Sequence, residues 1–124
     1  MKYPVSATLI AAGVCATVVS FALANTAWSA DEAAAKATAR QSDCFRCHTV
    51  DPGKKEKDGP TWRSVAEKYK GKDVAASKAR LTAHITSGEK AKFADGHEEE
   101  HKIIKTQDPA EIGNLVEWIL SLSN

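Results

Sequence analysis

Residues 44–48 read Cys44-Phe45-Arg46-Cys47-His48. Two Cys at this spacing lie on one side of a helical turn, so both sulfurs can bond the two vinyl-derived carbons on one edge of a haem. The next residue then projects an imidazole beneath the ring. The spacing is the c-type haem attachment signature, and it makes His48 the proximal iron ligand. The chemical rival is a dithiol redox pair. A thioredoxin-like site wants a βαβ context, and the sequence around the motif reads as helical instead. Cys15 is the one other Cys and lies in an apolar N-terminal stretch. Cys44 and Cys47 alone are too few and too close for a disulfide framework.

Working outward, residues 31–42 are Ala-rich and free of Gly and Pro, which predicts a helix leading into the motif. Residues 50–58 form a charged loop containing Asp51-Pro52-Gly53. Gly59-Pro60 then opens a segment with Trp62, Val65, Ala66 and Tyr69 on one helical face. Asp73 is a helix cap for a stretch where Val74, Ala75, Leu81 and Ile85 recur at helical spacing, and Gly88 stops it. Residues 89–107 carry no clear periodicity and read as mostly irregular. Asp108-Pro109-Ala110-Glu111 is a strong helix start. The helix it opens carries Ile112, Leu115, Val116, Ile119 and Leu122 as its apolar stripe, with Trp118 beside it. No alternating strand is evident. The expectation is a small all-α fold of about four helices around one covalently attached haem. Its long irregular segment before the last helix is the kind that usually carries function.

The composition agrees with one small domain. The chain has 124 residues, 17 Lys plus Arg against 16 Asp plus Glu, and a formal net charge of +1. That balance gives no footprint for a nucleic-acid partner. Aromatic residues are only 6%, and a small chain with so modest a core commonly leans on a cofactor. At the N-terminus, Lys2 precedes an apolar stretch from Val5 to Ala24, and charged residues resume only at Asp31. This reads as a secretory signal peptide over 1–24, cleaved between Ala24 and Ala30. An uncleaved membrane anchor is the alternative. The folded domain is expected over 31–124, in the periplasm, with no membrane insertion once the leader is removed.

From about Ala33 to Leu122 the chain resembles the small bacterial class I cytochromes c. The Ala-rich helix, the Cys pair with His48, and Gly59-Pro60-Thr61-Trp62 all match that family's pattern. Ile85-Thr86-Ser87-Gly88, Phe93 and the terminal run from Leu115 to Leu122 do so as well. By resemblance, the Pro60 carbonyl accepts the imidazole proton of His48, a contact that fixes a ligand's tautomer and basicity. Phe93 stands in the cofactor pocket where relatives often carry Trp. The first and last helices cross, with the small side chains of Ala33, Ala34 and Ala37 permitting close approach to Leu115 and Trp118.

One departure matters most. Relatives place a Met shortly before the last helix as the distal iron ligand, and between Phe93 and Asp108 this sequence has none. The region reads Gly96-His97-Glu98-Glu99-Glu100-His101 instead. His101 falls nearest the expected position counting back from Asp108, and His97 is the alternative. Imidazole in place of thioether removes the ligand that raises the potential. His97-Glu98-Glu99-Glu100-His101 also matches the zinc-protease pattern His-Glu-x-x-His, but it lacks an apolar helical face. A structural zinc on Cys44, Cys47, His97 and His101 is chemically reasonable, though the adjacent His48 argues against it. His84 reads as structural or surface.

Lys54, Lys55 and Lys57, with Lys68, Lys70 and Lys72, offer a charged face to a redox partner protein. The resemblance therefore implies a periplasmic one-electron carrier with one haem c and no enzymatic activity. A haem-based binder of small ligands such as NO or CO is the alternative if the distal position is open.

Overall fold

The computed structural model describes residues 29–53 and 57–123. The signal-peptide reading and Lys54 and Lys55 lie outside the described residues. Helix α1 (Glu32–Gln41) begins where Asp31 accepts a hydrogen bond from the Ala34 N–H. A 3-10 turn (Cys44–Arg46) follows, entered through Asp43 at φ 58°. Helix α2 (Trp62–Tyr69) is capped by Thr61, α3 (Val74–Ser87) by Asp73, and α4 (Pro109–Leu120) by Asp108. Each cap supplies an oxygen to an otherwise orphaned N–H of the first turn. Among the described residues no helix is long and apolar enough to cross a membrane.

The core forms where α1, α2 and α3 each lie against α4. Leu115 and Val116 of α4 are fully buried, with Trp118, Ile119 and Leu120 close behind. Trp118 is thus a core residue rather than a neighbour of the stripe. Its ring meets Trp62 edge-on at 5.5 Å between centroids, a favoured aromatic arrangement. The α1–α4 crossing is clasped at one end. Asn114 accepts from the Asp31 N–H at 2.8 Å and donates to the Asp31 carbonyl at 2.9 Å.

The crossing uses a different face of α1 from the expected one. Ala33, Ala34 and Ala37 are exposed, and Ala35, Thr38 and Ala39 are buried. A run of Ala has almost no amphipathic phase, so its own sequence leaves the inward face open. In α3, Val74 and Ala75 are likewise exposed, and the inward stripe is Ser77, Leu81 and Ile85.

The segment expected to be irregular contains a short antiparallel hairpin. Strand β1 (Lys90–Lys92) pairs with β2 (Glu98–Glu100), with Lys90 opposite Glu100 and Lys92 opposite Glu98. Its residues are nearly all charged, so the apolar alternation that marks a strand is missing. Opposite charges across the pair favour this register. The turn closes through Phe93 N–H to the His97 carbonyl at 2.9 Å, with Gly96 at φ 92°. A strap over 101–108 then runs back toward α1. It is tied by Ile104 N–H to the Ile85 carbonyl (2.9 Å) and by Lys105 N–H to Ser42 Oγ (3.2 Å).

Candidate haem-binding cleft

Between the 3-10 turn, α3, α4 and the strap lies a cleft of about 310 Å³. Its walls are mainly apolar, supplied by Val65, Leu81, Ile85, Phe93, Ile104, Leu115 and Ile119. Cys44 and Cys47 both line it as free, half-buried thiols. Burial pushes the Cys44 thiol above its ordinary range. His48 and His101 both line the cleft, and their ring centroids are 6.0 Å apart.

His48 is held from behind. Its Nδ1–H donates to the Pro60 carbonyl at 2.7 Å. A carbonyl only accepts, so the neutral ring carries its lone pair on Nε2. Burial lowers the His48 pKa against the opposing pull of the Pro60 bond, which favours the neutral ring. The loop between motif and α2 is closed by backbone bonds. Gly59 N–H reaches the Cys47 carbonyl at 2.7 Å, and Trp62 N–H reaches the Thr49 carbonyl at 2.9 Å. Pro60 is therefore placed by contacts on both sides of it.

His101 has the same protonation pattern. Its Nδ1–H donates to the Lys102 carbonyl at 2.8 Å, and burial again lowers its pKa. His97 differs in every respect. It is exposed, its ring stacks on Phe93 at 4.3 Å, and Nδ1 is bound to the Asp95 carboxylate. Its Nε2 lies 3.4 Å from Glu99 Oε1. The Asp95 contact raises the His97 pKa, so this ring favours protonation over ligation. Phe93 lines the cleft and has His97 on its other side.

The hairpin also removes the zinc readings. Glu98–Glu100 is a strand, so His97 and His101 do not share a helical face. Among the described residues no group of three or more His, Cys, Asp or Glu converges on a metal-sized site. Lys70 and Lys72 border a separate cavity of about 150 Å³, and the lysines at the cleft are Lys92 and Lys102.

Sequence reasoning missed His84. It is half-buried and lines the cleft, with its ring centroid 4.3 Å from that of His101. The signal was its register, one helical turn after Leu81 and next to Ile85.

Gly59 permits the arrangement. A Cβ there would lie 2.6 Å from His48 Cε1 and 2.7 Å from the Cys47 carbonyl oxygen. Gly59→Ala must displace the imidazole or the Cys47 carbonyl, and it is expected to cost roughly 1–3 kcal/mol as an overpacked, half-buried site. Gly113, in α4, has open space at the same test, so Gly113→Ala should stabilise by roughly 0.5–1 kcal/mol. Thermal unfolding of the two variants checks both signs.

The donor set fits a haem. Two thiols beside His48 match thioether attachment, and the apolar walls match a porphyrin. The comparisons agree. The cytochrome c family profile matches residues 32–123. The class 1 cytochrome MtoD from Sideroxydans lithotrophicus ES-1 is 57% identical, with 77% of this chain and 100% of that chain covered and a TM-score of 0.69. Cytochrome c552 from Nitrosomonas europaea shares the fold at 24% identity and a TM-score of 0.54, with 71% of this chain and 99% of that chain covered. No curated protein matches the sequence. Fold, cleft and thiol pair converge with the family match on one conclusion: the chain belongs to the cytochrome c family, as a small class I monohaem member with one covalent haem c.

Proposed function

We propose that the chain is a periplasmic one-electron carrier whose haem, tethered by Cys44 and Cys47, takes His48 and His101 as axial ligands. The haem supplies a one-electron couple when bound. The polypeptide does the rest. Pro60 and Lys102 each hold an imidazole through a backbone carbonyl, which would leave both rings neutral with Nε2 available to the iron. The apolar walls exclude water from the ring faces, and no general base or nucleophile is required. The observation that carries the ligand assignment is that His48 and His101 line one cleft with ring centroids 6.0 Å apart. Redox partner proteins would exchange electrons at the thioether edge of the cleft, which Lys92 and Lys102 also line. Export to the periplasm rests on the N-terminal leader reading and on the family's usual compartment.

With imidazole on both sides and no thioether, the potential falls below that of Met-ligated relatives. Purified protein should show six-coordinate low-spin spectra in both oxidation states, unchanged by CO, and redox titration should give the lower value. His97→Ala should leave the spectrum unaltered. High-spin bands with CO uptake by the reduced protein would overturn the carrier reading in favour of a small-ligand binder.

A further inference from the structure

We propose that His84 is a second distal imidazole, placed to bind the haem iron when His101 leaves it. The proposal rests on the axial assignment just made. His84 lines the same cleft as His101, with ring centroids 4.3 Å apart. Its Nδ1 lies 2.5 Å from Glu89 Oε1, and a carboxylate accepts, so the imidazole donates from Nδ1 and keeps its lone pair on Nε2. Glu89 is itself held by Arg80 Nη1 at 2.6 Å. A histidine whose far nitrogen donates to a fixed carboxylate has the supporting contact of a metal ligand. Glu89 also accepts the His101 backbone N–H on its carbonyl at 3.1 Å, so one residue contacts the His84 ring and the His101 main chain. Gly88, at φ 68°, turns the chain so that Glu89 returns to α3.

Stability alone does not account for an imidazole here. The His84–Glu89 pair is about one-third exposed on each side chain, where ion pairs contribute little. A leucine on the Leu81–Ile85 stripe would fill an apolar wall better. The two rings also differ in their support. His84 sits on a helix with its Nδ1 on a carboxylate, and His101 on the strap with its Nδ1 on a neutral backbone carbonyl. Exchange breaks the bond from iron to His101 Nε2 and forms one to His84 Nε2. Each imidazole keeps its Nδ1 proton, on Lys102 and Glu89 respectively, so no proton or electron is transferred.

The test compares haem-loaded His101→Ala, His84→Leu and the double variant by ferric electron paramagnetic resonance and by CO binding to the reduced form. His84→Leu should retain the wild-type low-spin signal. His101→Ala should remain low-spin with shifted g-values, and the double variant should become high-spin and take up CO. A high-spin, CO-binding His101→Ala would overturn the standby role and leave the His48–His101 reading intact. A high-spin His84→Leu would overturn both, making His84 the resident ligand. A low-spin double variant would overturn both by requiring a further ligand. If the double variant cannot be purified, His101→Ala/Glu89→Gln replaces it. That change keeps the imidazole but removes its carboxylate, so a partial shift to high spin is expected, and no shift would overturn the proposal.

Discussion

Cys44→Ala/Cys47→Ala is expected to yield a colourless chain that has lost most of its helix. The reason is the amount of core that the cofactor covers. Leu81, Ile104, Leu115 and Ile119 belong both to the buried core and to the walls of the 310 Å³ cleft. Emptying a space of that size costs up to about 7 kcal/mol at the measured penalty per unit cavity volume, before the walls relax. A small domain has only about 5–15 kcal/mol of total stability. The walls also cannot collapse freely. The strap is pinned at Ile85 and Ser42, and α1 is clasped to α4 by Asn114. Without thioethers, haem retention would depend on imidazole bonds alone, and the folded cleft needed to align them would be missing. Mass spectrometry should show bare polypeptide, and far-UV circular dichroism should show no cooperative melt. A colourless variant that melts cooperatively with native helix content would show that the polypeptide core is sufficient by itself.

That dependence explains why the motif was so much more legible than its surroundings. Cys44, Cys47 and His48 lie within five residues, so their chemistry is written in little more than one helical turn. The caps Asp73 and Asp108 and the stop at Gly88 are equally local, and each helix they bound stands where its signals placed it. Relations between elements were harder to read. Ala33, Ala34 and Ala37 are indistinguishable by residue type from Ala35 and Ala39, and only the packing of α4 decides which are buried. His97 and His101 sit in the same acidic run. What separates them is the hairpin, which turns His97 onto Asp95 outside and returns His101 to Glu89 at the cleft. Three-residue strands of Lys and Glu carry no hydrophobic pattern from which that turn could be foreseen. His84 was missed for a related reason. A polar residue on a helix face is usually solvated, and the open space beside this one exists because a cofactor, not a side chain, completes the core.

The second large effect follows from restoring the family's sulfur. In His84→Leu/His101→Met, position 101 carries a thioether and the neighbouring imidazole is gone. The backbone of the strap keeps its anchors, since Ile104 N–H and Lys105 N–H are bonded to groups outside it. Residue 101 itself is held by its N–H on the Glu89 carbonyl, a bond that any side chain permits. The Met sulfur is therefore expected at the place His101 now fills in the cleft. A thioether is a softer ligand than imidazole and favours the reduced metal. The potential should rise on the order of 100 mV, a fraction of the roughly 0.8 V range that axial ligands span. The ferric protein should also gain the weak near-infrared band of thioether-bound iron. In His101→Met alone, the His84 imidazole competes for the oxidised iron, so the band should be weaker and the rise smaller. A double variant with neither band nor rise would place the distal ligand somewhere other than residue 101. A full-strength band in His101→Met alone would keep residue 101 in that role while denying His84 access to the metal.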